Sequence, residues 1–129
     1  MADDDGVDRV RAYYNARGES EWHRLDNPYE GLIEQEVHRR AFADLVPAGA
    51  RVLDVGGGPG KWTIWLLRRG HRVVLGDLSP RMLQIARREL AAAGEVPEQV
   101  LELDARDLSR FAPAEFDVVL SLGPLYHLV

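Results

Sequence analysis

The sequence predicts an α/β protein in which a parallel sheet carries helices on both faces and follows a helical segment. Three observations support this. From residue 51 onward, short apolar runs alternate with segments whose apolar residues repeat every three or four positions. The runs are almost entirely apolar, as in the buried strands of a parallel sheet. Glycine and aspartate residues follow the ends of the runs, where such sheets bind their ligands.

The composition is that of one ordinary globular domain and excludes several classes of protein. The chain has 129 residues, and 16 basic against 21 acidic side chains give a net charge of −5. This acidic balance argues against a general nucleic-acid binder. No apolar run reaches the roughly 18 residues of a membrane span, and the acidic start is unlike a secretory signal. Without cysteine there is no disulfide or thiolate metal site. We therefore expect a cytoplasmic protein with neither a nucleic-acid nor a membrane partner.

Residues 1–46 are predicted to form the helical segment, ahead of a second region at residues 47–129. An acidic tail of about seven residues precedes a predicted helix over 8–17. A longer helix is predicted over 29–45, because its apolar residues recur at spacings of three and four and therefore share one face. Those residues are Leu32, Ile33, Val37, Ala41 and Leu45.

The second region supplies the sheet. Its predicted strands are 51–55, 72–76, 100–103 and 116–121, and its predicted helices are 61–69 and 80–93. The later helix has a clear start, since Ser79 is a good N-cap and Pro80 takes the first helical position, where its missing N–H costs nothing.

A glycine-rich loop follows the first strand. Four glycines fall within five positions: Gly56, Gly57, Gly58 and Gly60. Such a loop brings the backbone close to a ligand and leaves N–H groups to bind it, whereas a tight turn alone needs fewer glycines. The pattern is G-x-G-x-G, and Lys61 stands where the dinucleotide fingerprint has its third glycine. A Walker phosphate loop is also absent, so the sequence disfavours a pyrophosphate ligand.

Aspartates end the next two strands. Asp77 can accept hydrogen bonds from both hydroxyls of a ribose; alternatively, it stabilises the N-terminus of the following helix. Leu78 offers an apolar surface to a purine or belongs to the core. Asp104 either accepts a hydrogen bond from the exocyclic amine of a base or caps its own turn.

Four segments carry a resemblance to a known family. The segments are VLDVGGGPGKWT (52–63), VVLGDLSPRMLQIAR (73–87), LELDARDL (101–108) and FDVVLSLGPLYHL (116–128). They resemble the motifs of class I S-adenosylmethionine-dependent methyltransferases and stand in the same order and spacing. The resemblance implies a Rossmann-like fold and a methyl transfer that converts S-adenosylmethionine to S-adenosylhomocysteine.

The resemblance also implies roles for residues of this chain. The glycine loop and Asp54 would hold the methionine part of the cofactor, and Asp77 would hold the ribose diol. Around the adenine it places Leu78, Asp104 and Ala105. Beneath the sulfonium, where the methyl group leaves, it places Ser121, Leu122 and Gly123.

The N-terminal segment YYNARGESEWHRL (13–25) resembles the cap that folds over the cofactor in small-molecule methyltransferases of this class. The side chains that this implies for covering the site are Tyr13, Tyr14, Trp22 and Arg24. The alternative is that the aromatic residues fasten the N-terminal helices to the sheet.

One histidine is a candidate catalytic base near the expected point of transfer. His127 follows the fourth strand and acts as a base or substrate contact, or else packs locally at the start of a helix; Tyr126 has the same two interpretations. His38 is predicted on a solvated helix face and His71 at the surface. No His, Asp or Glu residues have the spacing of metal ligands, so no metal is expected.

The prediction contains four of the family's seven strands, whose order is 3-2-1-4-5-7-6. We therefore expect the N-terminal part of a longer polypeptide, poorly active by itself. Its fourth strand would be an apolar edge unless self-association or a second chain covers it. The leading function is methyl transfer to a small-molecule acceptor. The alternatives are an NAD(P)-binding oxidoreductase-type domain, against which Lys61 counts, and a non-catalytic S-adenosylmethionine-binding or scaffold module.

Overall fold

The computed structural model describes residues 4–122, which alternate helices and strands after an all-helical start. In chain order the elements are α1 (Asp4–Arg17), α2 (Glu19–Trp22), a 3₁₀ turn (Arg24–Asp26), α3 (Gly31–Leu45), β1 (Arg51–Val55), α4 (Lys61–Arg68), β2 (Arg72–Asp77), α5 (Pro80–Ala93), β3 (Gln99–Glu102) and β4 (Val118–Ser121).

The four strands form one parallel sheet in the order β3-β2-β1-β4. Val52 of β1 lies opposite Val73 of β2 on one side and Val118 of β4 on the other. The parallel α/β sheet predicted from the sequence is confirmed, and its order agrees with the first four strands that the resemblance implies. Because β1 is central, the loop that follows it lies between the ends of β2 and β4.

The two faces of the sheet are covered differently. On one face, Val52 and Val73 pack with Leu66 of α4 and Phe42 of α3, and α5 lies beside α4. On the other face, the irregular segment 103–117 supplies the cover in the described part of the chain. Its apolar side chains pack with Leu53, Val55 and Val74 of the sheet.

Helix α3 is turned with its predicted apolar face toward solvent. The side chains of Leu32, Ile33, Val37 and Leu45 are between 50% and 76% exposed. The buried side of the helix instead contains Phe42, with the His38 ring stacked on it at 5.7 Å between ring centroids. The prediction of a solvated face for His38 is therefore wrong. The periodicity grouped the apolar residues correctly, but aromatic packing decides which side of the helix faces the sheet.

Two further expectations are corrected. His71 is buried at the start of β2 rather than lying at the surface, and burial lowers its pKa, with Arg69 adding to the effect. Residues 4–7 are helical rather than part of a tail, because Val7 is buried and gives the first turn of α1 a packing partner. Within residues 4–122, no helix is both long and apolar enough to cross a membrane.

Two substitutions in α3 test the orientation of this helix. Phe42→Ala should lower the free energy of unfolding by about 3–5 kcal/mol, because it leaves a cavity in the core. Val37→Ser, on the exposed side, should change it by no more than about 0.5 kcal/mol. Denaturant unfolding of both variants measures the difference, and a loss in Val37→Ser equal to or larger than that in Phe42→Ala would contradict this orientation.

Candidate functional site

The glycine loop after β1 is held by backbone hydrogen bonds to the end of β2. The N–H of Gly56 donates to the carbonyl oxygen of Gly76 at 2.8 Å, and the N–H of Gly58 donates to Oδ2 of Asp77, also at 2.8 Å. Gly58 adopts a φ of 58°, a left-handed conformation that favours glycine. The loop therefore fixes both its own shape and the carboxylate of Asp77.

Gly57 is required for another reason, the close approach of the loop to the sheet. A Cβ atom at this position would lie 2.3 Å from Cδ1 of Leu75 and 2.6 Å from Oδ2 of Asp54. Both side chains are fully buried and have little room to move. The middle glycine thus lets the backbone rest directly on the sheet.

A pocket opens above this loop at the carboxyl ends of the strands. Its floor and one wall are the loop and the residues that follow the strands: Gly56, Gly57, Gly58, Pro59, Asp77, Leu78, Leu103, Ala105 and Leu122. The remaining lining comes from the N-terminal helices and α4: Val10, Tyr14, Glu21 and Trp62. Polar groups from the loop and Asp77 therefore meet an apolar surface in one concave site, as in many small-molecule sites.

Asp77 is the buried acid of this pocket. Its side chain is anchored at both oxygens, because Oδ2 accepts from Gly58 and Oδ1 accepts from the N–H of Ser79 at 2.9 Å. Burial raises the pKa of Asp77, these backbone N–H groups oppose the rise, and the charge of Glu21 adds to it. The carboxylate is thus fixed in orientation but short of compensating positive charge.

Asp54 lies beneath the loop and does not line the pocket. It is 1% exposed, and its Oδ2 accepts a hydrogen bond from the hydroxyl of Thr63 at 2.8 Å. Its Oδ1 is buried without a hydrogen-bond partner in the described structure. Burial raises the pKa of Asp54 to about 6, and the nearby charge of Asp77 adds to the rise. The geometry makes Asp54 a support for the loop and for the first turn of α4.

Asp104 also stays off the pocket surface. Its Oδ2 pairs with Nη2 of Arg106 at 2.8 Å, and its Oδ1 accepts from the backbone N–H of the same residue. The hydrogen bonds from Arg106 lower the pKa of Asp104. The structure therefore contains the turn-capping arrangement that the sequence left open for this residue, while the neighbouring Ala105 lines the pocket.

Polar contacts of three residues dock the N-terminal helices against α5 and the end of β2. Oδ1 of Asn15 accepts from the Ser79 hydroxyl and from the N–H of Arg81, and Arg11 donates to the carbonyl oxygen of Leu78 at 3.2 Å. Glu19 of α2 forms a two-point ion pair with Arg88 of α5. These contacts hold α1 and α2 over the ends of the strands.

This docking brings Tyr14 and Glu21 to the pocket, whereas Trp22 lines a separate cavity. The half-buried Glu21 carboxylate pairs with Arg17 at 2.7 Å and Arg24 at 3.0 Å. Of the other predicted covering residues, Tyr13 is half-exposed and Arg24 binds Glu21 and Glu34. Glu21 thus lines the pocket and also forms the ion pairs that join α2 to α1 and to the turn that follows it.

The predicted site residues divide into three groups. Those that line the pocket are Gly56, Gly57, Gly58, Asp77, Leu78, Ala105, Leu122 and Tyr14; those that do not are Asp54, Gly60, Asp104, Ser121 and Trp22. Gly123, Tyr126 and His127 lie outside the described residues. Among residues 4–122, no group of His, Asp and Glu side chains is arranged to hold a metal ion.

Sequence reasoning missed several lining residues, above all Glu21 and Trp62. Trp62 is the second residue of α4, immediately after the loop. Its closeness to the glycines in the sequence could therefore have indicated that it lines the pocket. Glu21 stands in the segment already identified as a cap, but only the docking of α2 shows which of its side chains faces inward.

The raised pKa of Asp54 predicts a specific pH dependence of stability. A carboxyl group whose pKa is about 6 when folded and about 3.9 when unfolded binds protons more tightly in the folded state. Its contribution is therefore complete below about pH 4 and is lost as the pH rises through 6, by about 3 kcal/mol in total.

Asp54→Asn should remove this loss without changing the shape of the side chain. Unfolding free energies of wild type and variant, measured between pH 4 and 8, should diverge in favour of the variant as the pH rises. Parallel pH profiles would contradict the raised pKa. The difference between the two proteins cancels the contributions of titrating groups that do not interact with Asp54.

Comparison with known proteins now identifies the family. Residues 52–129 match a family model described as a methyltransferase domain. The tRNA 5-carboxymethoxyuridine methyltransferase of Escherichia coli (strain K12) is 35% identical over 92 residues, which cover 70% of this chain and 35% of that protein. The ubiquinone biosynthesis O-methyltransferase of Paracidovorax citrulli (strain AAC00-1) is 33% identical over 109 residues, covering 83% of this chain and 46% of that protein.

A solved structure agrees in fold. The crystal structure of magnesium protoporphyrin IX methyltransferase from Synechocystis PCC 6803 with bound SAH matches with a TM-score of 0.71 and 25% identity, over 95% of this chain and 60% of that chain. This chain spans about a third to a half of the length of the two curated relatives. The resemblance seen in the sequence is confirmed: this chain belongs to the methyltransferase domain family.

Proposed function

We propose that the pocket above the glycine loop binds S-adenosylmethionine and that the whole protein transfers its methyl group to a small-molecule acceptor. One observation carries the proposal. A buried carboxylate, Asp77, is fixed by backbone hydrogen bonds beside a glycine loop, and both border a pocket with an apolar wall.

The chemistry of these residues fits the nucleoside part of the cofactor. A carboxylate has about four acceptor sites, and the hydrogen bonds from Gly58 and Ser79 occupy two of them. The others can accept hydrogen bonds from the two hydroxyls of a ribose. Leu78, Leu103 and Ala105 provide the apolar surface that a purine ring requires.

The charge of the site fits the other part of the cofactor. S-adenosylmethionine, when bound, supplies a methyl group on a positively charged sulfonium and also carries an ammonium group. Asp77 and Glu21 both line the pocket, and their mutual repulsion is one cause of the raised pKa of Asp77. A cation between them would relieve that repulsion. The residues present therefore suit a cationic ligand better than an anionic one.

The roles of the chain in catalysis are positioning and exclusion of water. Methyl transfer is an in-line displacement, so holding the donor in one orientation supplies much of the rate acceleration. The glycine loop and Asp77 fix one end of the donor. Tyr14 and Glu21 close the pocket from the N-terminal side.

This cap also supports a small acceptor. Helices α1 and α2 stand over the strand ends, and the net charge of −5 opposes the approach of a polyanion. The relatives that support this proposal include an enzyme named for ubiquinone biosynthesis. Another is named for a tRNA nucleoside. Methylation of tRNA by the whole protein would therefore contradict the proposed small-molecule acceptor.

The cofactor is tested by calorimetric titration of the chain with S-adenosylmethionine, S-adenosylhomocysteine and NAD. We expect the first two to bind and NAD to bind far more weakly, because Lys61 replaces the third glycine of the dinucleotide fingerprint. Binding of NAD alone would identify an oxidoreductase-type domain. Binding of none, by a folded chain, would overturn the proposal.

Asp77→Ala tests the assignment of the ribose. Loss of a charge-assisted hydrogen-bond acceptor should weaken binding of S-adenosylhomocysteine by about 1.5–3 kcal/mol, or about 10- to 150-fold in Kd. Asp44→Ala, at an exposed position of α3, is the control and should leave the affinity unchanged. Asp77→Asn keeps the side-chain volume in case the alanine variant fails to fold. Wild-type affinity in a folded Asp77 variant would remove this residue from the site.

Glu21→Gln tests the charge of the pocket. The substitution keeps the shape but removes the negative charge, so binding of the sulfonium cofactor should weaken by about fivefold relative to neutral-sulfur S-adenosylhomocysteine. Glu34→Gln is the matched control, because Glu34 also pairs with Arg24 but does not line the pocket. Equal effects on both ligands would show that Glu21 does not interact with the sulfonium.

A further inference from the structure

A second cavity lies beside the glycine-loop pocket, in the groove between α3 and α4. Its volume of about 290 Å³ exceeds the about 110 Å³ of that pocket. All three tryptophans of the chain line it: Trp22, Trp62 and Trp65. We call this cavity the tryptophan groove. Trp62 lines both cavities, so the groove adjoins the pocket through a shared wall.

The indole rings of the groove are held by packing with one another and with the core. The rings of Trp62 and Trp65 meet edge to face, with 6.0 Å between centroids and 80° between planes. Behind them, the buried Phe42 contacts both rings, at 5.1 Å and 5.9 Å. A planar ligand in the groove would therefore meet aromatic surfaces that are already ordered, which lowers the entropic cost of binding.

Three cationic side chains join the tryptophans along the groove: Arg39, Lys61 and Arg68. Lys61 is committed to other contacts, because its ammonium pairs with Asp26 at 2.6 Å and lies 5.0 Å from the centre of the Trp22 ring. The arginines are held less firmly. Their ion pairs, Arg39 with Glu36 and Arg68 with Glu95, are 3.8 Å long, beyond hydrogen-bonding distance. Both arginine side chains are exposed, and Arg39 also donates a hydrogen bond to Gln35 at 3.3 Å.

From this arrangement we propose that the tryptophan groove is a second ligand site and that it takes a small planar aromatic anion. The ring of the ligand packs on the indoles, and its acid group binds the guanidinium of Arg39, with which a carboxylate can form a two-point pair. A single-stranded nucleic acid fits the groove less well. It requires positive charge along an extended track, and here the cations stand at one place on a chain of net charge −5.

The shared wall gives the site a consequence for the neighbouring pocket. A ligand that packs on Trp62 contacts a residue of the pocket, so occupancy of the groove should change the affinity for the cofactor. By thermodynamic linkage, the cofactor changes the affinity of the groove by the same factor. This coupling rests on the proposed function, whereas binding in the groove does not.

The experiment titrates the chain with 2-naphthoate by calorimetry, without cofactor. We expect saturable binding that also changes the tryptophan fluorescence, since every tryptophan lines the groove. Two isosteres separate the contributions. 2-Naphthalenemethanol lacks the charge, cyclohexanecarboxylate lacks the planar ring, and each should bind more weakly than 2-naphthoate.

Neighbouring arginines on α3 provide a matched pair of variants. Arg39→Gln should weaken binding of 2-naphthoate by about three- to tenfold. Arg40→Gln should not, because Arg40 pairs with the same Glu36 but lies outside the groove. Both side chains are exposed, so neither change should unfold the protein.

The remaining measurements separate this site from the pocket. Saturating S-adenosylhomocysteine should change the affinity for 2-naphthoate by a limited factor, whereas displacement that continues to grow with its concentration would place 2-naphthoate in the pocket instead. Absence of binding, equal binding of the uncharged isostere, or equal effects of Arg39→Gln and Arg40→Gln would overturn the proposal. So would tight binding of an oligonucleotide that displaces 2-naphthoate. If 2-naphthoate binds but S-adenosylmethionine and S-adenosylhomocysteine do not, the groove stands and the proposed function fails.

Discussion

The structure depends on the contact of the glycine loop with the ends of β1 and β2. At Gly57 the backbone lies so close to Leu75 and Asp54 that no side chain fits. This closeness lets the N–H groups of Gly56 and Gly58 reach the end of β2, where they hold the backbone and the carboxylate of Asp77. The same loop leads into α4, whose Thr63 donates a hydrogen bond to Asp54. One backbone turn therefore fixes two strands, one helix and the acid of the candidate site.

The cap depends in turn on that framework. Its polar contacts converge on the start of α5, where Asn15 binds the Ser79 hydroxyl and the N–H of Arg81. Ser79 follows Asp77 by two residues and donates its backbone N–H to it. The residues that seat the cap and the residue proposed to bind ribose thus belong to one hydrogen-bonded turn. A shift in this turn would alter both the pocket floor and the position of Tyr14 and Glu21 above it.

Local sequence signals predicted most of the sheet and part of the site. Strand β1 and helix α5 have the predicted bounds, because an apolar run before a glycine loop and a Ser-Pro start before a Gly stop are local signals. The glycine loop and Asp77 were found for the same reason. The face of α3 could not be found this way, since periodicity groups residues without saying what covers them. Tertiary contacts of Phe42, with the core of the sheet and with Trp62 and Trp65, select the side of the helix that carries it.

Two other differences have the same origin in tertiary contacts. The place of Asp104 after a strand is similar to that of Asp77, yet Arg106 two residues later neutralises it locally. Asp77 has no such cation two residues away and is anchored by backbone N–H groups alone in the described structure. A backbone N–H orients a carboxylate but carries no net charge. The negative charge of Asp77 is therefore not neutralised by these hydrogen bonds. The carboxylates of Asp54 below and Glu21 above also repel that charge, although Glu21 is itself paired with Arg17 and Arg24. Aspartates near the ends of two neighbouring strands thus acquire different chemistry, and the uncompensated one is the position that a cationic ligand would stabilise.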